Sequence, residues 1–278
     1  MIENILVCLE GSASGLRASE VAIDVARRLG ATLAGLAIVD EPDIHGREAT
    51  GIGGAAYKQQ RDDVRLEDAQ AQAKAWLDAF AERCRAAGIK AEIIERQGRP
   101  DTTILKELEA HDLTVLGRHA NFRFETQDDD QQTRDTILRH ASQPVLVVPE
   151  GSVATGPAVL VAFDGSMASR RALLSFARSG LGDDCPVHVA AVDDDGATAW
   201  DIASKGCLLL REYEIQAQPH NLVSTLSIAD ALLERRAKLD AGLIVLGAYT
   251  RSRFSRMLWG SVTHEMLAKT VVPLYLHY

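Results

Sequence analysis

At 278 residues the chain is longer than one ordinary domain needs, and length alone suggests two. Hydrophobic residues at 46% and charged residues at 25% are globular proportions, which excludes a disordered, collagenous or disulfide-scaffold chain. The net charge of -9 is uneven: residues 1–150 carry a balance of -8 and residues 151–278 one of -1, so neither half offers the basic stripe that nucleic-acid binding needs. No apolar run reaches the ~20 residues that cross a bilayer. The start, MIENILVCLEGS, lacks the basic and long apolar regions of a signal peptide. Cys8, Cys84, Cys185 and Cys207 are scattered without CxxC pairing or metal-ligand spacing. Reduced thiols and a cytoplasmic location are therefore expected.

In chain order, Ile5–Leu9 is a continuous apolar run, as a strand covered on both faces requires. Ser12 stands at an N-cap, and Ala18, Val21, Ala22, Val25, Ala26 and Leu29 follow at helical spacing up to Gly30. Leu33–Val39 reads as the second strand. A long polar helix over about 57–87 buries Ala69, Ala73, Trp76, Leu77, Phe80 and Cys84. Strands near 89–95, 113–116 and 145–148, with helices near 101–110 and 132–140, complete five strands. Strands near 158–163, 187–192, 214–218, 242–246 and 272–277 then follow, with helices near 167–179, 197–212, 225–238 and 261–269.

The second half repeats the first. Ile5-Leu-Val-Cys-Leu-Glu-Gly-Ser12 lies against Val159-Leu-Val-Ala-Phe-Asp-Gly-Ser166, and Arg17-Ala18 against Arg171-Ala172, at an offset of 154. Val-Leu-Gly closes both Asp112–Gly117 and Ala241–Gly247, and Gln143–Val148 parallels Val272–Leu276. Matching order across separate blocks marks a tandem duplication. Two α/β domains are expected, 1–150 and 157–278, each a five-stranded parallel sheet sandwiched by helices. The nine-residue Gly/Pro/Ser-rich linker Pro149–Pro157 keeps them packed as a pseudo-twofold pair.

Ligands of open parallel sheets sit beyond the carboxyl ends of the strands, where helices begin. That points to Asp164-Gly-Ser166, to Val192 and to the segment from Gly247. In that segment a strand ends, a loop carrying Arg251, Arg253 and Arg256 follows, and Gly260-Ser261 opens a helix. Glycine permits close approach of backbone to an anion, and helix-start N–H groups with a hydroxyl hold phosphate. The alternative is that Gly247 and Gly260 merely turn the chain.

On these residues the chain resembles a tandem member of the universal stress protein family, over essentially its whole length. Family members that bind ATP share Gly-x2-Gly-x9-Gly-Ser/Thr after strand four. Gly247, Gly260 and Ser261 fit that pattern, Val262 continues the helix start, and Thr250 replaces the second glycine. The resemblance implies a Rossmann-like fold of the adenine nucleotide alpha hydrolase type. It places Asp164 near ribose and phosphates and Val192 against adenine through its backbone. The first half departs from the pattern. Ala120 stands for the second glycine, Gln131-Gln132 for Gly-Ser, and Glu10 for the aspartate, while Asp128–Asp130 would repel a triphosphate. The resemblance also implies pairing of the last strands, here within one chain, and a homodimer of four domains.

The chain shows no Gly-x-Ser-x-Gly elbow, since Ala13 holds the nucleophile position of Gly11–Gly15, and no P-loop or Rossmann glycine fingerprint. Gly51–Gly54 lies in a loop after Asp40. His119 reads as a solvated loop residue, and Asp193–Asp195 as a helix-start turn in preference to a Mg²⁺ site delivered with a nucleotide. The leading expectation is a non-catalytic, ATP-binding stress-response module whose bound state alters contacts with a protein partner. The alternatives are a pure interaction protein with both sites degenerate, and a slow ATPase using Asp164 to activate water.

Overall fold

The computed structural model describes residues 1–45, 55–120, 122, 132–151, 156–248 and 261–278. In the first half the chain runs β1 (Asn4–Leu9), α1 (Ala13–Leu29), β2 (Thr32–Val39), α2 (Glu41–Ile44), α3 (Ala55–Ala86), β3 (Ala91–Gln97), α4 (Pro100–Glu107), β4 (Leu113–Gly117), α5 (Gln132–His140) and β5 (Val145–Val148). The second half runs β6 (Ala158–Ala162), α6 (Met167–Ser179), β7 (Val187–Val192), α7 (Gly196–Arg211), β8 (Ala217–Leu222), α8 (Ile228–Lys238), β9 (Ala241–Gly247), α9 (Ser261–Lys269) and β10 (Leu274–His277).

The helix boundaries follow local chemistry. Ser12 accepts from the Gly15 N–H at 3.1 Å and Gly30 closes α1 in the left-handed region at φ +68°. Ser166 and Gly180 (φ +82°) do the same for α6. The short α2, capped by Asp40, is absent from the sequence reading. The strand expected at 214–218 lies instead at Ala217–Leu222. Glu214 turns the chain at φ +63°, and Ile215, apolar enough to suggest a strand, is buried in that turn.

The strands form one ten-stranded sheet in the order β3-β2-β1-β4-β5-β10-β9-β6-β7-β8. Every pairing within a half is parallel, and the two halves meet where β5 runs antiparallel to β10, with Leu274 opposite Val147, Tyr275 opposite Leu146 and Leu276 opposite Val145. The fold is therefore α/β with two five-stranded parallel units, and their last strands pair inside the chain. Neither unit leaves that apolar strand as an edge. The outer edges are β3, which carries exposed Glu92, Glu95 and Arg96, and β8, which carries Pro219. Charge and a missing N–H both discourage pairing with another chain.

Each face of the sheet carries one apolar core that runs through both halves. One packs α1, α3, α6 and α7 on the sheet, with Phe80, Phe176 and Tyr275 fully buried. The other packs α4, α5, α8 and α9. Across the seam, the Arg118 guanidinium donates to the Thr270 and Ala268 carbonyls at the end of α9, where a cation suits the helix dipole. His264 of α9 lies 3.6 Å from the Asp135 carboxylate of α5.

The outer end of the second half carries a titratable cluster. His188 Nδ1 of β7 lies 2.9 Å from His220 Nε2 of β8, and an Arg235 Nη1 of α8 approaches His220 Nδ1 at 3.4 Å. Burial holds both imidazoles below the usual histidine range, and the Arg235 charge adds to it. A depressed histidine keeps its full stabilising contribution above the unfolded-state value of about 6.5 and loses it as pH falls below that value, because only the unfolded chain then takes up the protons. The urea midpoint is expected to fall between pH 7 and pH 5. His188→Gln with His220→Gln should flatten that fall, and an unchanged slope would exclude the pair as its source.

Candidate functional site

In the second half, β6 is the switch point of the sheet: the chain goes to β7 on one side and returns to β9 on the other. The carboxyl ends of β9, β6 and β7 therefore stand side by side, spanning roughly 10 Å at about 4.8 Å per strand. A crevice at such a point is the usual ligand position in open α/β sheets. Gly247 ends β9, Asp164 lies two residues past the end of β6 and Val192 ends β7, so the structure aligns three of the candidate residues along one rim.

Gly247 is held there by close backbone approach. A Cβ on it would lie 2.5 Å from Ser169 N and 2.7 Å from Ala168 C, in the first turn of α6. No other residue type allows β9 to come so close to that helix start. Asp164 is half-buried, and its Oδ1 accepts from the Ser166 N–H at 2.9 Å. Gly165 supplies the positive φ of +74° that this turn needs. Val192 and Val262 both border the core formed by α8 and α9. Ser261 begins α9, half-buried. Thr250 and Gly260, with Arg251, Arg253 and Arg256, lie outside the described residues.

The rim contains a residue expected from the sequence in a solvated helix-start turn in preference to a Mg²⁺ site, and the structure buries it. Asp193 follows Val192, is 9% exposed, and uses Oδ1 to accept from the Asp195 N–H at 2.9 Å. Its Oδ2 is buried without a hydrogen-bond partner among the described residues. A polar atom in that state marks a position of uncompensated desolvation. The signal in the sequence was its place directly after an apolar strand. Asp195 caps α7 through the Ala197 and Thr198 N–H groups. Among the described residues no group of three or more metal-ligating side chains gathers.

The corresponding point of the first half is built differently. Gly117, ending β4, makes the same close approach: a Cβ there would lie 2.7 Å from Gly15 N and 2.6 Å from Ser14 Oγ. Glu10 takes the place of Asp164, but its extra methylene lets the carboxylate fold back. Oε2 accepts from the Ser12 N–H at 2.8 Å, Oε1 from the Ser12 hydroxyl at 2.6 Å, and the group is only 4% exposed. Ser14 Oγ extends the network, 2.9 Å from Ser12 Oγ, and accepts from the His119 N–H at 3.1 Å. Burial pushes the Glu10 carboxyl above the usual range, against the lowering effect of the Ser12 hydrogen bonds. The Trp76 indole lies half-buried over Gly11, at the margin of the core rather than within it. His119 faces the Glu150 carboxylate at 3.8 Å. Asp128–Asp130, Gln131 and Gly51–Gly54 lie outside the described residues.

At the first-half switch point the Ser12 hydroxyl is bonded to the Glu10 carboxylate while it caps α1. The four cysteines are unbridged, and burial pushes the Cys84 and Cys207 thiols up to about 11, far from thiolate chemistry at neutral pH. What the second-half rim offers is backbone access, a half-exposed carboxylate and a helix start.

Comparison with known proteins settles the lineage. The model of the universal stress protein family matches residues 1–149 and again 157–276. The chain belongs to the universal stress protein family. It is a tandem member, with two copies of the family domain. Universal stress protein Slr1230 of Synechocystis is 25% identical over 286 residues, covering 98% of this chain and 99% of that protein. A universal stress protein from Archaeoglobus fulgidus shares the fold at a TM-score of 0.68 and 19% identity, over 98% of this chain and 97% of that one. A family protein from Arabidopsis thaliana, solved with AMP bound, overlaps 54% of this chain and 93% of its own at 16% identity and a TM-score of 0.37.

Proposed function

We propose that this universal stress protein is a non-catalytic, adenine-nucleotide-responsive regulatory module that binds ATP in its second half. Asp164, Val192, Gly247, Thr250, Gly260, Ser261 and Val262 form the site, with Mg²⁺ arriving on the nucleotide. The first half is the degenerate copy, kept for packing. The observation that carries this reading is the contrast at the two switch points. Asp164 leaves a half-exposed carboxylate beside the helix start, whereas Glu10 folds into the equivalent space and is bonded there to Ser12. The protein is further proposed to act in the cytoplasm as a homodimer that presents its bound state to a protein partner. Light scattering should then give a mass well above the 30.1 kDa of one chain.

Calorimetric titration with MgATP is expected to give one site per chain. Two equivalent sites would overturn the asymmetry, and no binding would leave the interaction-protein alternative. Residue 250 sets the affinity. If the loop requires φ > 0 there, threonine costs about 1–2 kcal/mol relative to glycine. Thr250→Gly should then tighten binding roughly ten-fold. Weaker binding in that variant would mean that the threonine hydroxyl donates to a phosphate. Gly260→Asp puts a carboxylate at the start of α9 and should expel the phosphates in either case. Unchanged affinity in both variants would remove the Gly247–Ser261 segment from the site.

A further inference from the structure

The sequence repeat supplies an internal control for a second site. At the offset of 154, α1 and α6 are equivalent helices, each flanking a groove at the seam between the halves. Along α1 two of the three cations are neutralised by its own acids: Arg17 pairs with Glu20 and Arg27 with Asp24, while Arg28 donates to the Leu181 carbonyl at 3.4 Å. Helix α6 has no acidic residue, and where α1 has Leu16 and Asp24 it carries Arg170 and Arg178. Arg171 matches Arg17, but Leu174 stands where Glu20 would neutralise it.

All three arginines are exposed and line a groove of about 480 Å³ that reaches across the seam to Asp112 and Pro144 of the first half. Arg171 Nη1 donates to the main-chain oxygen of Tyr278 at 2.7 Å, and Arg178 donates to the Tyr213 hydroxyl at 3.0 Å and lies over that ring. Arg170 has no ion-pair partner among the described residues. Asp112 is the single acidic side chain among the described residues that line the groove, and its Oδ2 already accepts from the Glu3 and Asn4 N–H groups at 2.8 and 2.9 Å. A chain of net charge -9 thus keeps three guanidinium groups, none paired with an acidic side chain among the described residues, on one wall of a cavity. Guanidinium forks bind phosphate oxygens in pairs, and small-molecule sites run from about 300 to 1,000 Å³.

From this groove we propose a second ligand site, separate from the nucleotide rim, that takes a linear chain of phosphate groups. Arg170 and Arg178 are eight residues apart on one helix, about 12 Å along its axis. A single phosphate meets one of them, whereas a chain of three or more meets all three. Affinity therefore rises with chain length, and it falls with salt because counterions compete for the same arginines.

The test is calorimetry on the full chain with inorganic phosphate, pyrophosphate and tripolyphosphate, beside amide chemical-shift mapping. Tripolyphosphate should bind tightest and shift the amides of residues 170–178. Arg170→Gln with Arg171→Gln should weaken it roughly ten-fold or more, the loss expected for a charge-assisted hydrogen bond. Arg17→Gln in the equivalent groove, and Gly260→Asp at the nucleotide rim, should leave it unchanged. No binding by the wild type overturns the proposal, as does equal affinity in the double variant. Loss confined to Gly260→Asp also overturns it, because the probe then sits at the nucleotide rim. Shift mapping on the wild type decides the matter even if a variant folds poorly.

Discussion

Valine in place of Gly247 is expected to abolish nucleotide binding and to destabilise the fold by about 1–3 kcal/mol. The first added carbon already lies 2.5 Å from Ser169 N and 2.7 Å from Ala168 C. Both are backbone atoms of a helix start, so no rotamer change relieves the contact. Either β9 or α6 must move, and each carries one wall of the proposed crevice. Gly117→Val is the matched control. It meets Gly15 N at 2.7 Å, with Glu10 Oε1 at 2.8 Å, and should destabilise comparably while leaving nucleotide affinity intact. Urea denaturation and ATP titration of the two variants separate the effects. Equal loss of nucleotide affinity in both would mean that the first half contributes to the site after all.

The largest loss of stability is expected at the seam. Tyr275 is fully buried in β10, meets Phe176 edge-on with ring centroids 6.2 Å apart, and shares a 2.6 Å hydrogen bond with Ser175. Burial pushes its phenol above the usual range, so it stays neutral across the working pH. Tyr275→Ala removes the ring from the strand that joins the halves and should lower stability by about 3–5 kcal/mol. That is a large share of the ~5–15 kcal/mol that holds an ordinary domain together. Tyr275→Phe keeps the ring and should lose about 0.5–1.5 kcal/mol, the value of one hydrogen bond. Denaturant midpoints of the two variants lying close together would show that the hydroxyl, not the ring, holds the seam.

Much of this architecture is legible in the residues because its signals are local. Continuous apolar runs mark the buried strands, and Ser12, Gly30 and Ser166 mark helix ends through contacts within a few residues. The repeat of Val-Leu-Gly places Gly247 at the end of a strand without any coordinates. What escapes reading lies at edges or across long separations. Edge strand β8 spends its alternation on Gln218, Pro219, His220 and Asn221, so buried Ile215 in the preceding turn mimics the strand better. Arg118 finds its acceptors 150 and 152 residues away, in the other copy. Glu10 reads as an aspartate with one more methylene, and only the fold reveals that its second oxygen also takes the Ser12 hydroxyl. That Asp193 Oδ2 is buried without a partner among the described residues is a property of packing, which no residue pattern encodes.

The antiparallel meeting of β5 and β10 has a consequence for how the molecule can change over time. In a symmetric dimer of single-domain chains, one codon alters both subunits, so a loss at one crevice is a loss at both. Fusion breaks that coupling, since each copy has its own codons. A half can surrender ligand binding and still supply the strand its partner needs. The reversal at the seam also points the carboxyl ends of the two sheets at opposite margins of the molecule. Two different bodies can therefore dock at the two margins at once without touching. Specialisation of one margin leaves the other free to evolve.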